Sequence, residues 1–320
     1  MEDYKFSKDY IPALVSIIIP THNRAGIVCE TIDSIFAQSY TKVELIIVDD
    51  HSTDNTEEVV KKKQKESKLF DFKYIKSPKK GGCAARNIGL IYCKGEYIQF
   101  FDDDDIMLQN HIEEKVAAIG RSDFVTCNFN YFLEDVGNIV GEKCIHNIIH
   151  TVESHLLTSS FPAPTFMCRR ECVVAIGFWN ESIKRLQDIS YFHRLFLYGQ
   201  RGVFLKSKLF LVRVHSQNIT SINSVPFLQA MIDVYDMVKK EWEVEKKTDR
   251  TFVKTICYLK FNTFVRAIHY SYWRWAISNI LKYSLSHPLL FFWIIKFVFF
   301  KMTHFVKGNN VTVYHFVYGC

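Results

Sequence analysis

Four consecutive aspartates, Asp102, Asp103, Asp104 and Asp105, follow directly on the apolar run Glu96 to Phe101 (EYIQFF). Adjacent carboxylates repel one another unless a cation or water compensates them, and a position at the end of a buried strand favours a cation. Oxygen-only donors suit hard divalent ions such as Mg2+ or Mn2+, which combine one or two carboxylates with the oxygens of a substrate phosphate. The competing reading is a solvated acidic turn. A second acidic pair, in Asp49-Asp50-His51-Ser52, also follows an apolar run. Carboxylates there can accept hydrogen bonds from a ribose or a base N–H, while Ser52, Thr53 or Asp54 can cap the next helix. Lys79-Lys80-Gly81-Gly82-Cys83-Ala84-Ala85-Arg86-Asn87 joins two glycines to a helix start, where backbone N–H groups and Arg86 could meet a phosphate. The segment matches neither GxGxxG nor GxxxxGK[ST], which argues against a nicotinamide enzyme and a P-loop NTPase.

The elements that must position these groups alternate. Val15 to Pro20 (VSIIIP) and Val43 to Val48 (VELIIV) are continuous β-branched runs that predict buried parallel strands. Between them Ile27, Ile32, Ile35 and Phe36 recur at helical spacing, completing a βαβ unit. Thr53 to Lys68 predicts the next crossover helix, Phe72 to Ile75 a short strand, Gly82 to Cys93 a helix, and Glu96 to Phe101 another strand. The loops Thr21 to Arg24, Asp49 to Ser52 and Asp102 to Asp105 then share the C-terminal edge of a parallel sheet, the edge at which open α/β sheets bind ligands. Beyond Ile145 the pattern is irregular, with a helix over Asp188 to Tyr198, strands near Val203 and from Leu209 to Val214, and a polar amphipathic helix over residues 226 to 247.

The 320 residues are 48% hydrophobic and 23% charged, which excludes disorder, collagen and coiled coil. The net charge of +6 is unevenly spread. Residues 1 to 250 hold all 34 acids and 32 of the bases, a charge of −2, and the last 70 residues carry +8 without an acid. That tail contains 19 aromatics from Phe252 onward, and Arg266, Arg274, Lys282, Lys296, Lys301 and Lys307 lie among them. Such a composition suits the interface of an anionic bilayer; the alternative is a helical subdomain or homodimer contact whose aromatics form core. The apolar run Pro288 to Phe300 has 13 residues with Lys296 inside, shorter than the roughly 20 of a spanning helix. Nine cysteines without a CxxC pair, and an N-terminal run without a basic n-region or cleavage site, predict reduced thiols in a cytosolic chain.

In order and spacing, VSIIIPTHNR, VELIIVDDHSTD, GGCAARNIGL and KGEYIQFFDDDD resemble the nucleotide-sugar-binding half of the family 2 glycosyltransferases. The resemblance implies a GT-A (Rossmann-like) fold, an α/β architecture with a mostly parallel sheet and flanking helices, and an inverting, metal-dependent hexosyltransferase. Asp102 and Asp104 then correspond to the DxD pair that holds the metal, with Asp105 as support or third ligand. Pro20, Thr21, His22, Asn23 and Arg24 match the nucleoside-holding loop, with His22 in place of a more usual tyrosine. Asp49, beside Asp50, matches the carboxylate that reads the uracil; Arg86 and Asn87 match the motif beside the sugar and diphosphate, where Asp103 also belongs. Ala175-Ile-Gly-Phe-Trp-Asn-Glu181 and Leu186-Gln-Asp-Ile-Ser-Tyr-Phe-His-Arg-Leu195 resemble the GxFDE … EDxxxxxRL pattern, which makes Asp188 the base for the acceptor hydroxyl. The family's glutamate before that Asp is here Gln187. Val212-Arg213-Val214-His215 resembles the segment that closes the donor site, with His215 at the metal or diphosphate.

Together these readings predict a catalytic domain over residues 1 to 225, with a nucleotide-sugar half at about 12–110 and an acceptor half at about 111–225. A helical, basic and aromatic extension covers residues 226 to 320. The predicted reaction moves a hexose, glucose or galactose first, from a UDP-sugar to an undecaprenyl-diphosphate-linked acceptor in O-antigen or capsule assembly. It uses Mn2+ or Mg2+, on the cytoplasmic side of the plasma membrane. The rivals are another sugar-nucleotide enzyme such as a nucleotidyltransferase, and a nucleic-acid-binding protein using the tail as a stacking platform. The acidic edge would repel a nucleic acid's phosphates, so no nucleic-acid partner is expected.

Overall fold

A computed structural model of the chain describes residues 5–6, 10–133, 139–143, 151–158, 161–214 and 224–286. His215 and the 288–300 apolar run, with Lys296, Lys301 and Lys307, lie outside the described residues. The chain packs as two units, Met1–Asn218 and Ile219–Cys320.

The first unit begins β1 (Ile11–Thr21), α1 (Val28–Phe36), β2 (Val43–Asp49), α2 (Thr56–Glu66), β3 (Asp71–Lys76), α3 (Gly82–Tyr92) and β4 (Gly95–Phe100). It continues through β5 (Ile106–Met107), α4 (His111–Ile119), β6 (Phe124–Leu133), β7 (Ile139–Lys143) and α5 (Val152–Thr158). A 3-10 turn (Ala163–Thr165), β8 (Phe166–Arg169), α6 (Arg170–Ile176), α7 (Gln187–Leu197) and β9 (Gly202–Val214) complete it. Among the described residues nine strands form one sheet in the order β3-β2-β1-β4-β8-β6-β9-β5, with β7 on β6.

β1 pairs in parallel with β2 and β4, and β2 with β3, so the expected parallel half is present. The β-branched runs are strands because both faces are covered. Ile18, Ile46 and Ile98 face the helices α3, α6 and α7. Ile17, Ile19, Leu45 and Ile47 face α1, α2 and α4. Sequence reading passed over β6, which is buried over Phe124 to Phe129 and pairs in parallel with β9. Its Thr126 and Asn128 interrupt the apolar run yet are wholly buried, and Asn128 Nδ2 donates to the Lys206 carbonyl at 2.7 Å. The two strands expected near Val203 and from Leu209 are one long strand, β9.

In the second unit α8 (Val225–Val244), α9 (Arg250–His269) and α10 (Trp273–Ser286) pack on one another. Phe252, Phe261 and Phe264 are buried, with Trp275 and Tyr283 packed against the last two. Lys260 is also buried and pairs with Asp236. The described aromatics of this segment pack largely among these helices, while Arg274 and Lys282 are exposed. Among the described residues no helix is long and apolar enough to cross a membrane.

Helix α3 carries Arg86 and lies against β1 at Gly89, where an added Cβ would sit 2.3 Å from Ile18 Cγ2. Ile18 is wholly buried and β-branched, so it cannot swing aside. Gly89→Ala should lower stability by about 1–3 kcal/mol through overpacking, against a helix-propensity gain of about 1. Thermal or urea unfolding measures this, and an unchanged or raised midpoint would rule out the close packing as a constraint.

Candidate active site

The C-terminal ends of β1, β2 and β4 bring three loops to one edge, and each is held by named bonds. After β1, Asn23 adopts a left-handed φ of 53°, and His51 after β2 one of 63°. Asparagine tolerates that region better than most residues. Asn23 Oδ1 accepts from the Thr53 N–H (2.8 Å), and its own N–H donates to Ser52 Oγ (2.9 Å). The His22 ring lies 2.6 Å by Nδ1 from the Asp50 carbonyl. Asp49 accepts from the Ser52 N–H at 2.8 Å and from the Tyr74 hydroxyl.

The four aspartates are divided among different partners. Thr21 Oγ1 donates to Asp103 Oδ2 at 2.7 Å, and Arg24 stands 3.7 Å from Asp103 Oδ1 and 3.4 Å from Asp104 Oδ2. Arg86 Nη2 bonds Asp102 Oδ1 at 2.9 Å. Asp105 Oδ1 accepts from the Arg213 N–H at 3.0 Å, while Arg213 Nε donates to the Asp104 carbonyl and Nη2 to Glu30 Oε2. Thr31 Oγ1 bonds the carbonyls of Asp103 and Asp105. Burial and the neighbouring Asp104 push Asp103 up to about 7. Burial first, then the charges of Asp104 and Asp102, holds Asp105 well above the carboxylate range. Burial also raises Asp102, against the pull of Arg86.

These oxygen-only donors in carboxylate excess fit a hard divalent cation, with Asp102 and Asp104 as the residues to hold it. Beside them Asp105 is buried and accepts the Arg213 N–H with Oδ1. Among the described residues no group of three acidic, thiol or imidazole side chains forms a closed metal cage.

The acceptor side is reached through Arg86. Its Nη1 donates to Gln187 Oε1 at 2.8 Å, and its guanidinium lies 4.8 Å over the Trp179 ring. Trp179 in turn stacks on Tyr191, with centroids 4.0 Å apart and planes 3° apart. Asp188 follows Gln187 in the first turn of α7, after Leu186 in a left-handed conformation (φ 56°) that is costly for a bulky side chain. Its Oδ1 is buried without a hydrogen-bond partner. Burial, opposed by Arg86 and reinforced by Asp102, pushes Asp188 up to about 7.

Asn87 and Asp50 also bridge loops of the site. Asn87 donates to the Trp179 carbonyl and Glu181, and accepts from the Trp179 N–H at 2.8 Å. Asp50 accepts the Gly81 N–H with both oxygens, at 2.9 and 2.8 Å. Each amide or carboxylate is spent tying one loop to another. Glu30, Thr31 and Tyr74 carried no sequence signal, since their roles depend on pairings between distant segments. Arg213 and Trp179 did lie within recognised motifs, although neither was singled out.

The family model for glycosyl transferase family 2 matches residues 16–175. The chain is 30% identical over 222 residues to glycosyltransferase GlyG of Streptococcus pneumoniae, covering 64% of this chain and 72% of that protein. It is 34% identical over 130 residues to WfgD of Escherichia coli, a UDP-Glc:alpha-D-GlcNAc-diphosphoundecaprenol beta-1,3-glucosyltransferase, covering 40% of this chain and half of that one. TarS of S. aureus superposes with a TM-score of 0.62 at 20% identity, over 78% of this chain and 71% of the TarS chain. The mannosyltransferase PcManGT of Pyrobaculum calidifontis does so at 0.59 and 15% identity, over 90% and 85%. Parallel sheet, acidic loop and these likenesses agree: the chain is a glycosyltransferase belonging to family 2, with the GT-A fold.

Proposed function

We propose that this glycosyltransferase moves a hexose, glucose in the first instance, from a UDP-sugar to a sugar carried on a lipid diphosphate, with inversion. The observation that carries the reading is the Arg86 fork, which bonds Asp102 in the acidic loop with one nitrogen and Gln187, next to Asp188, with the other. One guanidinium thereby fixes the spacing between a site for a diphosphate leaving group and a buried carboxylate able to take a proton. WfgD, whose name states a UDP-glucose donor and a diphosphoundecaprenol-linked acceptor, supports the choice of substrates. TarS, also known in complexes with UDP and UDP-GlcNAc, supports a uridine nucleotide.

In this reading the acceptor hydroxyl gives its proton to Asp188 as its oxygen bonds the anomeric carbon, and the bond from that carbon to the nucleoside diphosphate breaks on the opposite face. A divalent ion on Asp102 and Asp104 would supply charge neutralisation for the leaving diphosphate. Arg24 and Arg86 hold those carboxylates, Arg213 braces the loop behind them, and His22 lies where a nucleoside base would stack. Residues 1 to 225 form the catalytic domain in this proposal. The extension from 226, with exposed Arg274 and Lys282, associates with an anionic membrane on its cytoplasmic side.

Because Asp188 must be ionised to accept a proton, and its carboxyl is held up at about 7, kcat/KM should rise through about pH 7 and level off above it. Asp188→Asn should lower kcat at least about a hundredfold and leave nucleotide affinity intact; near-normal turnover would remove Asp188 from the mechanism. EDTA should abolish transfer and Mn2+ or Mg2+ restore it, whereas activity persisting in chelator would sink the role given to Asp102 and Asp104. In flotation, the full chain should rise with anionic liposomes at low salt and stay behind with neutral ones. Recovery only in the unbound fraction would contradict membrane association.

A further inference from the structure

Two loops meet beside Asp188, one between β3 and α3 and the other leading into α7. Ser77 to Gly82 supplies Lys79 and Lys80, and Glu181 to Gln187 supplies Lys184 and Arg185, so the two loops carry four cations against one carboxylate. They are pinned to each other. Cys83 Sγ lies 3.7 Å from the Ile183 carbonyl, and the place a Gly81 side chain would occupy is 3.9 Å from Lys184 Nζ. Gly81 has φ 117°, a conformation glycine adopts without strain, and both oxygens of Asp50 hold its N–H. The one carboxylate, Glu181, is shared between Asn87 and Lys79, at 3.0 and 3.8 Å. Lys80 and Lys184 are exposed, and among the described residues neither is in an ion pair.

None of these cations takes part in the chemistry assigned so far, because Arg24, Arg86 and Arg213 serve the aspartates. A fixed basic rim on rigidly tied loops is a phosphate-binding feature. Arg185 and Lys184 precede Asp188 by three and four residues, so their backbone lies within about 11 and 14 Å of the base. An acceptor that presents a hydroxyl to Asp188 therefore brings the group at the other end of its sugar toward this rim. We propose that Lys80, Lys184 and Arg185 bind the diphosphate of the acceptor, and that the rim selects acceptors carrying an anionic linker over the same sugar on a neutral one. This inference rests on the reaction proposed above for the identity of the acceptor and for Asp188 as the group that meets its hydroxyl.

The test uses the full chain with UDP and Mn2+ at saturation, so that the donor site is filled, and titrates geranyl diphosphate by calorimetry. The intact protein should bind it, and Lys184→Gln/Arg185→Gln, or Lys80→Gln alone, should weaken binding about tenfold or more with an unchanged melting temperature. In steady-state transfer the double variant should raise KM for a diphosphate-linked acceptor by a similar factor. Its KM for the nucleotide sugar, and for the same acceptor sugar on an alkyl chain, should not change. A matching rise in the donor KM would assign the rim to the donor, and lost liposome binding with unaltered geranyl diphosphate affinity would assign it to the membrane surface. Either result, or no binding by the intact protein, overturns the proposal. Absence of transfer to any lipid-diphosphate sugar with geranyl diphosphate binding intact would instead refute the reaction and leave the rim standing.

Discussion

Four carboxylates in succession at the mouth of a buried strand impose an electrostatic demand, and much of the surrounding chain is arranged to meet it. Removing an ionised carboxylate from water costs several kcal/mol unless it is paired, and like charges alongside raise the cost. The chain answers with three arginines from three separate elements. Arg24 comes from the loop after β1, Arg86 from α3 and Arg213 from β9, and each takes a different part of the aspartate loop. Burial and mutual repulsion still hold Asp102, Asp103 and Asp105 above the carboxylate range, so the compensation by protein groups is incomplete. In the reaction proposed above, that remaining deficit is what a divalent ion would offset.

Arg86 has a second consequence because it is a planar fork rather than a point charge. Lysine could neutralise Asp102, but it could not bond Gln187 in the same plane while lying flat on Trp179. The stack of Arg86, Trp179 and Tyr191 extends this contact into the core between α3 and α7. Glutamine at 187 accepts from the guanidinium without adding an anion, which leaves Asp188 as the ionisable group on that side. Left-handed residues at Asn23, His51 and Leu186 stand in the loops that surround this arrangement. Their backbone cost is of order 1–3 kcal/mol each and is met by the bonds that tie the loops together.

The parallel half was legible in the sequence because a strand buried on both faces writes an uninterrupted apolar run, as VSIIIP and VELIIV do. The aspartates, Arg86 and Asp188 were legible because their residue types are unusual where they stand. The far half of the sheet was not. In β6, Thr126 and Asn128 are buried polar groups, the partner of Asn128 lies on a strand about 80 residues away, and β8 has only four residues. The bonds by which Asn87 and Asp50 tie neighbouring loops together had no trace in their motifs, because their partners lie in other segments. The pairing of β5 with β9, which delivers Arg213 to Asp105, is a long-range event with no local trace.

The short reversed strand β8 has a bearing on how the chain assembles. It lies between β4 and β6 and is antiparallel to both, although it follows them by more than 30 residues. Until Phe166–Arg169 leaves the ribosome, β4 and β6 each present an unpaired edge, and the parallel half exists without its seam. Open edges of that kind recruit other strands. During synthesis the two halves thus wait for four residues to join them, with β9 still to add beside β6, and commitment to a single sheet comes late.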